Sequence, residues 1–162
     1  MKIINVLSFI ITAAIFIFVF IWINWASAAQ AARVESRAKD MKCLALNIYH
    51  EARGEPISGQ IAVAQVTMNR VAHKNWPNDV CSVVYQYKQF SWTSVISNKI
   101  PHESTAWTTA QSIAKTVYTD KEDDFVQGAV FYHADYVEPD WDYSKITMVA
   151  KIGTHIFYTL NK

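Results

Sequence analysis

The chain has 162 residues, 51% of them hydrophobic, and a formal net charge of +1, which leaves room for one domain of ordinary size plus a short appendage. That charge balance excludes a nucleic-acid partner, because phosphate binding needs a basic surface this composition does not supply, and it is neutral on a polysaccharide partner. Six tryptophans and eight tyrosines suit the packing of aromatic faces on pyranose rings, but Trp22 and Trp25 lie in an apolar segment and core packing accounts for many of the others.

The chain opens on that apolar segment. No charged residue occurs from Ile3 to Ala32, and Leu7 to Ile23 is almost wholly apolar, long enough to belong to a membrane. Residues 1–28 read equally as a signal peptide, with Lys2 in front and Ala26-Ser27-Ala28 as its cleavage site, or as an uncleaved anchor with Trp22 and Trp25 at the membrane interface. Either route exports the remainder of the chain to the periplasm or cell envelope, secreted or held at the membrane by residues 3–25. One observation opposes export. Arg33, Arg37, Lys39 and Lys42 come after the segment while only Lys2 precedes it, which the positive-inside rule assigns to a cytoplasmic C-terminal side. Residues 29–40 then read as a linker and helix start, and residues 41–162 as one domain large enough to bury a core.

Val34 to Glu51 lacks Pro and Gly and places Met41, Leu44 and Ile48 at helical spacing, so a helix ends near Gly54. A second helix follows Pro56 with Ile61, Ala64, Met68 and Val71 on its inner face, closed by Asn75 to Pro77. Asp79 caps a short helix carrying Cys81 and Val84. In an exported chain the isolated pair Cys43 and Cys81 reads as a disulfide, and in a cytosolic one as two buried thiols. Tyr87 to Glu103 is rich in turn formers and reads as a long loop. Ser104 opens a third helix with Trp107, Ala110, Ile113, Ala114 and Val117 facing in. Val126 to Tyr132 and Ile146 to Leu160 are β-branched and aromatic, with Gly128 and Gly153 as bends. Helices first and strands afterwards predict an α+β domain in which a helical part packs against a small antiparallel sheet.

Glu51 falls on the stripe of Leu44 and Ile48. A carboxylate on an apolar stripe is costly to ionise, which raises its pKa toward the range a general acid needs. The plainer reading is an ordinary helix-end glutamate, solvated or paired with Arg53, and spacing alone favours it. The surrounding sequence is more specific. NIYHEARGEPISGQ from Asn47 to Gln60 and IAVAQVTMNRV from Ile61 to Val71 are succeeded in order by VCSVVYQ, QFSW, AVFYHA, Pro139, Trp141 and IGTHIFY. This series, covering Met41 to Tyr158, resembles the cell-wall hydrolases of the spore-cortex-lytic group, the SleB and CwlJ type, also found in phages. The resemblance implies a lysozyme-like or lytic-transglycosylase-like catalytic domain. It further implies peptidoglycan as partner, cleavage between N-acetylmuramic acid and N-acetylglucosamine, and catalysis by the glutamate of the EARGE motif, here Glu51. Five histidines with none at short ligand spacing argue against a metal, and no cofactor and a monomer are expected.

A two-carboxylate glycosidase needs a partner for its acid. Where small phage-type lysozymes carry an aspartate nine residues on, this chain has Gln60. Glu55 lies one turn away, and Asp135, Glu138, Asp140 and Asp142 are partners only if the fold returns them. A lone glutamate suits a lytic transglycosylase, in which the muramic acid 6-hydroxyl attacks the anomeric carbon and leaves a 1,6-anhydro end. A hydrolytic muramidase or endolysin is the alternative. Glu55, Gln89, Ser91, Trp92, Tyr132, His133 and His155 are candidate substrate-binding residues, set against turn, loop and core packing or a structural role for the histidines. Trp141 and Tyr158 are further aromatics for which core packing competes with a place in the groove. Three rivals remain. A zincin-type peptidase or amidase is prompted by His50-Glu51 but has Gly54 where the second histidine belongs. A cysteine peptidase would use Cys43 with His133 or His155. A non-catalytic glycan-binding domain would release no chain ends.

Overall fold

The computed structural model describes residues 2–96, 100–119 and 124–161, with side chains from residue 15 onward. Two compact units divide it, Met1–Ala38 and Lys39–Lys162. The first belongs to helix α1 (Lys2–Ala52), a span with neither Gly nor Pro. Its apolar stretch faces solvent, with Phe16 76% and Phe20 69% exposed. This helix is long and apolar enough to cross a membrane. Residues 29–40, read as a linker and helix start, are helical throughout.

In the second unit the end of α1 is followed by α2 (Ile57–Ala72), α3 (Val80–Val84), α4 (Trp92–Val95) and α5 (Ser104–Thr119). Strands β1 (Phe131–Ala134), β2 (Ile146–Ile152) and β3 (His155–Leu160) come last, with a short 3-10 turn, Tyr143–Lys145, ahead of β2. The sheet is antiparallel in the order β1-β3-β2. The α+β reading therefore holds. Asp79 caps α3 by accepting from the Ser82 amide at 2.8 Å, and Gly128 and Gly153 take positive φ at the two expected bends.

Two expectations need correction. Val126 to Gly128 lie in a turn rather than a strand, and β1 begins only at Phe131. Val126 owes its apolar character to burial in the core, not to strand pairing. The long loop contains α4, four residues too short to show a helical period.

Helix α2 organises the interior because it is buried on two sides. Ala64, with Ile61, Met68 and Val71 beside it, faces a helical core of Leu44, Ile48, Tyr49, Val80, Val84, Trp92, Ala110 and Ile113. This is the predicted inner face. Ala62 and Val66 face a second core with Val126, Ala129 and Phe157 beneath the sheet. Small alanines on both faces let helix and sheet approach closely, which brings the end of α1 and strand β1 together.

Candidate active site

Leu44 and Ile48 are fully buried, and their stripe ends in the half-buried Glu51. Burial raises the Glu51 pKa, and this outweighs a hydrogen bond from Tyr132 and the positive charge of Arg70, which both lower it. The Tyr132 hydroxyl donates to Oε2 of Glu51 at 3.1 Å. Burial, together with the neighbouring carboxylate, pushes the Tyr132 pKa far up, so the phenol remains a donor. Alternation along β1 turns Tyr132 toward α2, opposite Phe157 on β3.

Arg70 was not anticipated. It lies on the α2 stripe of Ala62 and Val66, is 4% exposed, and donates through Nε to the Val130 carbonyl at 2.7 Å. Its guanidinium carbon sits 5.3 Å from the centre of the Phe90 ring, and Nη1 has no hydrogen-bond partner among the described residues. Burial lowers its pKa to about 10 against the opposing pull of Tyr132 and Glu51, so at neutral pH it keeps a buried positive charge felt by the Glu51 carboxyl. A cation on an otherwise apolar helical stripe was the available signal.

Glu55 is fixed at the opposite side of the site. Its Oε1 accepts from the Thr154 hydroxyl at 2.5 Å and its Oε2 from the Thr154 amide at 2.9 Å. Oε2 also lies 3.9 Å from His155 Nδ1. Burial opposes ionisation of Glu55, but the Thr154 hydrogen bonds and His155 outweigh it and hold the carboxyl below its usual range. His155 is 8% exposed, and burial lowers its pKa despite the nearby Glu55 and Asp135. Its edge meets the Tyr132 ring at 5.1 Å. Glu51, Tyr132, His155 and Glu55 thus form one continuous row.

The other expected site residues lie elsewhere. Trp92 is corrected from groove to core: it is 3% exposed, donates through Nε1 to Asn47 at 3.0 Å and stacks on His50 at 4.4 Å. A buried indole with a satisfied N–H has no face left for a sugar. His133 points to the opposite face of the sheet from Tyr132, where it stacks on Tyr158 and sits 3.0 Å from its hydroxyl. Its Nδ1 lies 2.9 Å from the Ala134 carbonyl, and because a carbonyl only accepts, Nδ1 carries the proton. Ser91 is exposed and Gln89 half-buried on the loop around α4, and no described contact joins them to Glu51. Cys43 and Cys81 are bonded to each other with Cα atoms 5.2 Å apart, which removes the nucleophile of the cysteine-peptidase reading. Among the downstream acids, Asp135 pairs with Lys151 at 2.8 Å and Asp142 with Lys145 at 2.6 Å.

Comparison with known proteins bears on the family and the fold. A model of the Cell Wall Hydrolase family matches residues 54–158, beginning three residues beyond Glu51. The spore cortex-lytic enzymes of Bacillus cereus and Bacillus subtilis are 33% and 29% identical over 121 residues. These matches cover 73% of this chain but 43% and 37% of those proteins, so the chain spans less than half the length of these relatives. Among solved structures, the catalytic domain of Bacillus cereus SleB superposes with a TM-score of 0.62 at 30% identity, covering 74% of this chain and 89% of that one. The catalytic domain of the germination-specific lytic transglycosylase SleB from Bacillus anthracis superposes with a TM-score of 0.59 at 30% identity, covering 74% and 93%. The fold is the lysozyme-like one of these domains. With the family match extending over more than half of its residues and the same fold beneath it, the chain belongs to the cell wall hydrolase family.

Proposed function

We propose that the chain cleaves the glycan strand of peptidoglycan between N-acetylmuramic acid and N-acetylglucosamine as a lytic transglycosylase, with Glu51 as the sole proton carrier. The observation that carries this reading is a half-buried carboxyl of raised pKa that accepts from a phenol and feels the charge of a buried guanidinium. Protonated Glu51 gives its proton to the glycosidic oxygen as the bond to the anomeric carbon breaks. Tyr132 and the charge of Arg70 then stabilise the carboxylate, the form they favour. That carboxylate takes the proton of the muramic acid 6-hydroxyl as its oxygen closes on the anomeric carbon, giving the 1,6-anhydro end and returning Glu51 to its acid form.

The state of the neighbouring acids supports this route over hydrolysis. Both oxygens of Glu55 are engaged by Thr154, and Asp135 and Asp142 are paired with lysines, so none of these three stands ready as a base for water. One observation favours the hydrolytic muramidase as second reading: Glu55 is held ionised within the same row of residues, and release from Thr154 would free a base. The name of the Bacillus anthracis relative, a lytic transglycosylase, agrees with the first. We assign residues 41–162 to catalysis and the N-terminal apolar segment to export or anchoring, a placement that fits relatives named for lysis of the spore cortex. Mass spectrometry of fragments released from purified peptidoglycan tests the reaction. Anhydro-muramyl ends are expected; reducing muramic acid ends would select hydrolysis, cut peptides an amidase or peptidase, and binding without new ends a non-catalytic domain.

A further inference from the structure

The outer face of the sheet carries a second set of groups that the reaction does not use. Register places Phe131, Tyr158 and Met148 in one cross-strand row there. Trp141, from the connection between β1 and β2, lies across it, with its ring 5.6 Å from Phe131, 5.4 Å from His133 and 6.0 Å from Tyr158. Tyr143 extends the cluster 5.8 Å from Tyr158 and remains 46% exposed. Neither core cluster includes these rings, and while Tyr158 is itself buried, Phe131, Trp141 and Tyr143 keep exposed area. An aromatic group of this size on the open side of a sheet is hydrated at a cost and marks a contact surface.

Its shape and polarity indicate what makes that contact. A cavity of 280 Å³ opens beside Trp141, with Phe131, Ile146 and Leu160 completing an apolar floor and Asp140 and Asp142 on the rim. Asp142 is engaged by Ser144 and Lys145, which fixes the wall. Asp140 is exposed, and no partner for its carboxylate occurs among the described residues. A pyranose presents an apolar face of C–H groups ringed by hydroxyl donors, so the partly exposed Trp141 ring beside an apolar floor, with a free acceptor at the edge, complements it.

We infer that this face is an accessory glycan subsite taking an N-acetylhexosamine residue, separate from the row at Glu51. The inference rests on the reading that peptidoglycan glycan is the substrate. On an insoluble polymer, a second weak site raises the effective concentration of strand at the cleft without any change in the chemistry.

The test uses the full chain in mild detergent, with Glu51→Gln to prevent turnover, titrated with the tetramer of N-acetylglucosamine while the indole N–H signals are followed by NMR. The Trp141 signal should shift in a saturable manner, Asp140→Ala should weaken that site by about threefold or more, and Trp141→Ala should abolish it. With Glu51 intact, Asp140→Ala and Trp141→Ala should slow clearing of insoluble peptidoglycan several-fold yet leave release of ends from short soluble glycans at the wild-type rate. A Trp141 signal unmoved at millimolar tetramer, or normal clearing by both variants, overturns the subsite. If Trp141→Ala does not fold, Asp140→Ala and the titration of the intact indole decide alone. A wild type that binds at Trp141 but releases no glycan ends would refute the catalytic reading and leave this one standing, so the two failures are distinguishable.

Discussion

At the scale of single residues, the function proposed for Glu51 and its thermodynamic cost have the same origin. Glu51→Gln keeps size and hydrogen bonding but carries no transferable proton, so peptidoglycan clearing should fall by about 10² or more with the fold retained. The same substitution should stabilise the protein. A carboxyl whose pKa is raised on folding loses stability as pH rises from its unfolded value through its folded one, whereas glutamine does not. The variant should therefore melt higher than wild type at pH 7 and alike below the ordinary carboxylate range, and an equal or lower melting temperature at pH 7 would contradict the burial argument. Arg70 and Tyr132 act on that same equilibrium. Both lower the Glu51 pKa, so Arg70→Met or Tyr132→Phe should move the alkaline limb of the pH-rate profile upward while lowering kcat by about tenfold or more, because the carboxylate left after proton transfer loses its support. A purely structural role would reduce the amount of folded enzyme without moving that limb.

At the scale of elements, the turn between β2 and β3 holds the corner between α1 and α2. Gly153 has φ +58°, and a Cβ there would collide with Glu55 Oε2 and press on Pro56. Gly153→Ala should accordingly cost more than about 2 kcal/mol in a melting or denaturant experiment. Thr154→Val removes one donor to Glu55 and should cost about 1 kcal/mol at neutral pH. Since Glu55 has a lowered pKa, the stability it contributes is present above its unfolded pKa and lost as pH falls through the folded one, so variant and wild type should converge in acid. The disulfide ties α1 to α3 across a separation of 38 residues, worth about 4 kcal/mol by loop entropy; Cys43→Ser with Cys81→Ser should lose a comparable amount, read as a lower denaturation midpoint. The helical elements were legible from sequence because Leu44, Ile48, Ala110, Ile113 and Ala114 repeat at the helical period and are buried. The information that escaped is carried by pairing and not by period. Val126 is apolar for the core and not for a strand, Trp92 was drawn inward by Asn47, and the sidedness of β1, which separates Tyr132 from His133, is set by register with β3. Arg70 escaped because a single arginine on a helix is usually solvated, and only the second buried face of α2 makes it otherwise.

At the scale of the whole molecule, the chemistry and the charge pattern make opposite demands. Peptidoglycan lies outside the cytoplasmic membrane, so under the proposed function the unit Lys39–Lys162 is expected to be exported to meet it. The apolar stretch of α1 is the segment we assign to that step, being exposed from Ile15 onward and long enough to span a bilayer. Yet Arg33, Arg37, Lys39 and Lys42 come after it and only Lys2 precedes it, the distribution that retains a C-terminal side in the cytoplasm. These four cations lie within roughly 20 residues of the apolar stretch, the range over which the rule operates, so the conflict cannot be set aside by distance. An alkaline phosphatase domain fused after residue 45 reports the outcome, because it is active only once exported. An active fusion is expected. If it is smaller than the full product and released from the membrane, cleavage after Ala28 is the mechanism; at full size and membrane-bound, the segment is an anchor. A stable but inactive fusion would mean that the charges prevail over the apolar segment, and the domain would then need another route to its substrate, such as lysis of the cell or loss of membrane integrity.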